Sequence, residues 1–91
     1  MKNKIVLEDL KKIKPDFSSY FLNDALEPIN AAYEAVTDTF DTISKEEFLK
    51  VVASDYGTVY FMGTAYLAAR EDEKSEIATH AFYLFNELQN K

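Results

Sequence analysis

The chain has 91 residues, 47% of them hydrophobic, with seven Phe and six Tyr, enough to fill one core without a disulfide or a metal. Cysteine is absent, which excludes disulfides, thiolate nucleophiles and sulfur-ligated zinc, and fits a reducing compartment. The net charge of −6 divides into +3 over residues 1–14 and −9 over the rest. So acidic a body repels phosphate backbones, which predicts no direct binding to nucleic acid.

The first part of the chain predicts two helices. Only two glycines and two prolines interrupt the sequence, and this scarcity favours helices over a many-stranded sheet. A short helix is predicted from Val6 to Ile13, because the residue before Pro15 is biased away from helical angles. A second helix is predicted to begin near Pro15 or Asp16 and to run toward Leu26.

Pro28 is predicted to open a third segment, because a residue without an amide hydrogen fits the first turn of a helix better than its interior. Apolar residues then recur at the four-three spacing of one helical stripe. They are Ile29, Tyr33, Val36, Phe40 and Ile43. Short polar and β-branched residues compete for the backbone after Val36, so this helix is predicted to fray close to Asp38 or Asp41.

The run Phe48–Arg70 is the most apolar part of the chain and is entered through a capping box at Ser44 and Glu47. Its apolar periodicity predicts one buried central helix. The predicted stripe comprises Phe48, Val52, Tyr56, Val59, Gly63 and Tyr66, widened by Leu49, Tyr60 and Leu67. A strand over residues 58–62 is the alternative, disfavoured because no partner strand is evident. Asp55 within the run disfavours a membrane span, so no membrane partner is predicted.

The last helix is predicted after the charged cluster at residues 70–75, which is either a connection or an exposed first turn. Its apolar residues repeat at heptad spacing. They are Ile77, Ala81, Leu84 and Leu88, with Ala78, Phe82 and Phe85 alongside. The predicted fold class is therefore all-α: a single domain over residues 1–91 that forms a compact four-helix bundle, one helix short and three longer, with antiparallel neighbours.

The sequence predicts no enzyme, no cofactor and no metal. Its one histidine, His80, has no nucleophile motif around it and is predicted to be a boundary or surface residue. Glu73 and Glu76 fall at helical spacing from His80, but a metal site in a helical bundle needs further His and Glu ligands.

The predicted function is binding to another protein with a basic surface, as an inhibitor, antitoxin, immunity or phage-type regulatory factor. The residues predicted to bind this partner are Glu34, Asp38, Asp41, Glu71, Asp72, Glu73 and Glu76. The alternative is a self-associating structural or scaffold component, a homodimer formed through the tyrosine-rich central helix or the last helix.

The location is predicted to be cytoplasmic, because the apolar stretch Ile5–Leu7 is too short for a secretory signal. The basic segment at residues 1–14 is predicted to be a solvated helix face that rests against the acidic body of the same protein.

Overall fold

The computed structural model describes residues 4–39 and 43–90, and within them it confirms the all-α prediction. Five α-helices pack together with no strand among the described residues, so the expected four-helix bundle is one helix short. The five segments predicted in chain order equal these helices in number but not in bounds, because the two segments on either side of Pro28 form one helix and the run Phe48–Arg70 forms two. The helices are α1 (Leu7–Ile13), α2 (Ser19–Thr39), α3 (Lys45–Ser54), α4 (Tyr56–Ala68) and α5 (Lys74–Gln89), with a 3-10 turn at Glu71–Glu73 before α5. Residues 58–62 lie within α4, so the strand alternative is wrong.

Helix α1 is docked on the bundle. Ile5 and Leu10 are fully buried, and the Asn30 side chain pairs with the Ile5 backbone, accepting at 2.8 Å and donating at 2.9 Å. The Lys45 ammonium lies 2.8 Å from the Asp9 carboxylate and joins α1 to α3. Desolvation acts to raise the pKa of Asp9, but hydrogen bonds from Lys45 and from the backbone outweigh it, and the pKa is lowered. The basic segment is therefore held, from Ile5 onward, by both burial and an ion pair.

Helix α2 corrects two predicted boundaries. It begins at Ser19, where the Ser18 hydroxyl accepts from the Phe21 amide at 3.1 Å, rather than near Pro15 or Asp16. It then continues through Pro28. The prediction that Pro28 opens a new helix is therefore wrong.

A proline in a helix interior costs about 3 kcal/mol. Burial offsets this cost, because the apolar stripe keeps its phase on both sides of Pro28. The fully or almost fully buried members of that stripe are Leu22, Ala25, Ile29, Ala32 and Val36. Helix α2 packs against α1, α4 and α5 and is the central helix of the bundle, so the prediction that Phe48–Arg70 holds this place is wrong.

The run Phe48–Arg70 is also not one helix, because Asp55 divides it into α3 and α4. The Asp55 amide closes α3 by donating to the Val51 carbonyl at 2.8 Å, and the Asp55 carboxylate accepts from the Thr58 amide at 3.3 Å to begin α4. Asp is a strong N-cap and a poor interior residue, so the chain turns there. The predicted capping box at Ser44 is confirmed: Ser44 Oγ accepts from the Glu47 amide, and the Glu47 carboxylate accepts from the Ser44 amide, both at 3.1 Å.

Helix α5 buries a stripe that is shifted from the predicted heptad. Its buried residues are Ala78, Ala81, Phe85 and Leu88. Leu84 is 36% exposed and Ile77 only half-buried, because the helix presents the side of Phe85 to α2 and α3. Phe48 of α3 stacks on Phe85, with ring centroids 5.9 Å apart, and this pair forms the centre of the core.

Candidate protein-binding surface

The described acidic residues that were predicted to bind the partner belong to two segments of the chain, the last turns of α2 and the 3-10 turn with the first turn of α5. Glu34 and Asp38 are exposed on the last turns of α2. Four more exposed carboxylates belong to the 3-10 turn and the first turn of α5, and they are Glu71, Asp72, Glu73 and Glu76. We call these six residues the acidic surface. Asp41, predicted with them, lies outside the described residues.

Tyr66 shows that the two parts of the acidic surface are neighbours. Its ring is buried between α4 and the end of α2, and burial raises the pKa of its phenol. Negative charge on Glu34, Asp38 and Glu71 raises this pKa further. Three of the six carboxylates, from two segments more than thirty residues apart in sequence, are therefore close enough to the Tyr66 hydroxyl to act on its pKa.

Lys74 is the cation at the centre of this region. Its Nζ donates to the Tyr66 carbonyl at 2.7 Å and lies 4.3 Å from the centroid of the Tyr66 ring. This ammonium is used to close the end of α4 and to hold Tyr66 in place. Among residues 4–38 and 43–90, no ion pair involves Glu34, Asp38 or Glu71, so their charge is directed to solvent.

Asp72 and Glu73 are arranged differently from Glu34 and Asp38. Arg70 lies 3.6 Å from the Asp72 carboxylate and 3.5 Å from the Glu73 carboxylate, all three side chains being at least half exposed. Glu73 also accepts from the Arg70 amide at 3.3 Å, which caps the 3-10 turn. Exposed pairs of this kind contribute little to stability and leave both partners free to exchange.

His80 is exposed, as predicted, and lines a shallow depression with Glu73, Glu76 and Ile77. In the described part of the chain, no three His, Asp or Glu side chains are placed to hold a metal ion. What the region offers chemically is a negative field on rigid helix ends.

A second surface lies on the outer side of α4, in the tyrosine-rich stretch that the alternative hypothesis names as an interface for self-association. Tyr60 and Leu67 were expected to widen the buried stripe, but they are 36% and 45% exposed, and Phe61 is 70% exposed. Beside Phe61, α4 and α5 enclose an open apolar hollow of about 150 Å³. Its lining residues are Phe61, Met62, Ala65, Ile77, His80, Ala81 and Leu84. The signal in the sequence is the complete absence of charge between Asp55 and Arg70.

An aromatic cluster continues this surface toward the beginning of α2. The Tyr56 ring lies 5.3 Å from Phe17, 6.2 Å from Phe21 and 6.0 Å from Tyr60, measured between centroids. The Tyr56 hydroxyl is buried and has no hydrogen-bond partner within residues 4–38 and 43–90, and desolvation raises its pKa. Phe21 is half exposed, so the cluster is packed on one side only.

Comparison with known proteins gives no match to a family model, to a curated protein or to a solved structure. No helix in the described ranges combines the length and the apolar character needed to cross a membrane. Conclusions about function therefore depend on the residues and their arrangement.

Proposed function

We propose that this protein acts by binding another protein, and that it presents the acidic surface to a basic surface on that partner. The observation that carries the proposal is the convergence of Glu34, Asp38 and Glu71 around Tyr66. The acidic body attracts a basic partner over a distance and raises the rate of encounter, while the fixed positions of the carboxylates select the orientation.

The helices that carry the acidic residues are packed against the core, and this packing limits the entropy lost on association. Glu34 and Asp38 belong to the central helix, whose inner side is fully buried, and Tyr66 and Lys74 fasten the adjacent end of α4. A partner that meets this surface therefore encounters charges already in position. Action as an inhibitor, antitoxin, immunity or other regulatory factor in the cytoplasm is the form of this proposal that fits a small acidic chain without cysteine.

Affinity capture from the native cell at low and high salt tests the proposal. The wild-type protein should retain a basic protein at low salt and release most of it at high salt, because exposed charges are screened within about 8 Å at physiological ionic strength. The variant that combines Glu34→Gln, Asp38→Asn and Glu71→Gln should lose the partner.

The matched control combines Asp24→Asn, Glu27→Gln and Glu87→Gln, which removes the same charge from exposed positions outside the acidic surface. It should retain the partner. Equal loss in both triple variants, or capture that is insensitive to salt, would contradict an oriented acidic interface.

A further inference from the structure

The outer side of α4 is an apolar surface that no other part of the described chain covers, in a strongly charged protein. Charged residues make up 29% of the sequence, yet none occurs from Tyr56 to Ala69. A helix that is apolar around its whole circumference is normally covered on all sides. Here one side is covered by α2, while the residues that remain exposed lie along the opposite side. They are Gly57, Tyr60, Phe61, Leu67 and Ala68.

The outer side of α4 carries both a projecting ring and a recess. Phe61 projects with 70% of its surface exposed, and the hollow of about 150 Å³ opens next to it between α4 and α5. An apolar cavity of about 150 Å³ is large enough for a benzene ring. Small residues on the same side, Gly57, Ala65 and Ala68, leave room for a second helix to approach closely. A surface that carries both a phenyl ring and a recess for one can complement itself.

The charges at the two ends of α4 indicate which partner can bind to its outer side. Lys14 lies near the beginning of α4, because its ammonium is 5.6 Å from the Phe17 ring, which in turn contacts Tyr56. The end of α4 leads directly into the acidic 3-10 turn at Glu71–Glu73. Three lysines within residues 11–14 stand against Asp16 and the capping Asp55 at the first end, a net charge of +1, and four carboxylates stand against Arg70 and Lys74 over residues 70–76, a net charge of −2. The beginning of α4 is therefore weakly basic and its end leads into an acidic region.

We infer that the outer side of α4 binds the same side of a second copy of this chain, with the two α4 helices antiparallel about a twofold axis. In that arrangement the Lys14 region of each copy meets Glu71–Glu73 of the other at both ends. Between those ends the contact is uncharged, so two chains of net charge −6 meet where repulsion is least. A parallel pair would place like charges together at both ends.

The register follows from the spacing along α4. With the axis between Met62 and Gly63, Phe61 of one copy lies opposite Thr64 of the other, and Gly57 lies opposite Ala68. Each Phe61 ring then reaches the other copy's hollow, and both contacts are identical, as twofold symmetry requires. The acidic surfaces lie at opposite ends of the pair. Glu34 and Asp38 of both copies remain accessible to the proposed partner, whereas Glu71, Asp72 and Glu73 of each copy face the second copy, so the dimer and the partner compete for these three residues.

Light scattering coupled to size-exclusion chromatography tests this dimer with variants matched in charge. The wild-type mass should rise with concentration from 10.4 kDa toward twice that value. Phe61→Glu should hold the mass at the monomer value, because a carboxylate would be buried in an apolar hollow. Tyr83→Glu adds the same charge at a residue that is 64% exposed on α5 and outside the hollow, and it should dimerise like the wild type.

Circular dichroism establishes that both variants fold, and Leu67→Glu provides a second monomer-forming substitution on the same side. A monomer at every concentration of wild type would overturn the inference, and so would equal weakening by Phe61→Glu and Tyr83→Glu. This outcome is independent of the acidic surface, because the Phe61→Glu monomer keeps all six acidic residues and should still show salt-sensitive capture of the partner.

Cross-linking tests the orientation, and the absence of cysteine from the sequence makes it clean. A mixture of Gly57→Cys and Ala68→Cys should form a disulfide between the two variants under mild oxidation. Gly57→Cys alone should not link to itself. Efficient self-linking of Gly57→Cys would show a parallel pair and overturn the antiparallel arrangement.

Discussion

The two sides of α4 have similar apolar residues but opposite surroundings. On the inner side, a Cβ added at Gly63 would lie 1.7 Å from the Pro28 carbonyl oxygen, so α2 and α4 touch at backbone distance. On the outer side, a Cβ added at Gly57 would meet no atom of the described residues within 4 Å. Apolar composition alone therefore does not show which side of a helix is core. The core side of α4 is shown by the close approach of α2, because only a glycine at position 63 lets the two helices cross at this distance.

The comparison is tested most strongly by removing one phenylalanine from each environment. Phe85 is fully buried on α5 against α2 and α3. Phe85→Ala should therefore lower the unfolding free energy by about 3–5 kcal/mol. Phe61→Ala should change the stability of the monomer by less than about 0.5 kcal/mol, because the ring is already in solvent. Urea unfolding at dilution measures both. A comparable loss in the two variants would show that Phe61 belongs to the core.

The two glycines of α4 sharpen the same comparison. Gly63→Ala should destabilise the fold by about 1–3 kcal/mol or more, because the new methyl group forces α2 and α4 apart. Gly57→Ala should stabilise it by up to about 1 kcal/mol, because alanine is the better helix former and the site is open. Thermal melts should show midpoint shifts of opposite sign. Shifts of the same sign would contradict the close crossing at Pro28.

The smallest effect concerns pH at the inner side of α4. The pKa of Tyr66 is raised above its ordinary value of 10.0 by burial and by the three carboxylates. A phenol that holds its proton more tightly in the folded chain stabilises the fold below about pH 10, and that contribution is lost as the pH rises through the folded value. The unfolding free energy should therefore fall above pH 10, and it should fall less in Tyr66→Phe.

Tyr83→Phe, at an exposed position on α5, provides the control for loss of a tyrosine. Alkaline unfolding curves that are identical for wild type and Tyr66→Phe would show that neither burial nor the three carboxylates raise the pKa of Tyr66 in the folded chain.

The sequence predicted local features well where one residue decides the structure. The capping box at Ser44 and Glu47 was found because both partners lie within four residues. Asp55 has the same capping chemistry, but it was overlooked inside a long apolar run, and one helix was predicted in place of two. Pro28 was given its usual position at a helix start, while burial on both sides of it maintains a single helix.

Contacts between helices could not be predicted from local sequence patterns. The apolar periodicity predicted that Tyr60 and Leu67 belong to the core. A periodic pattern shows which residues are apolar, but it does not show whether another helix covers them. Among the described residues α4 packs mainly against α2, and Tyr60, Phe61 and Leu67 are left exposed. Similarly, Glu34 and Asp38 were proposed together with Glu71 on charge alone, and their proximity depends on how α2 and α4 cross at Gly63.

Sedimentation equilibrium of the unmodified protein is the most direct test of whether the outer side of α4 is an interface. From about 1 µM to about 1 mM, a range that spans weak to moderate association, the average mass should rise from 10.4 kDa toward that of two chains. A mass that stays at 10.4 kDa throughout would contradict the account, because it would show that the apolar side of α4 does not bind a second copy.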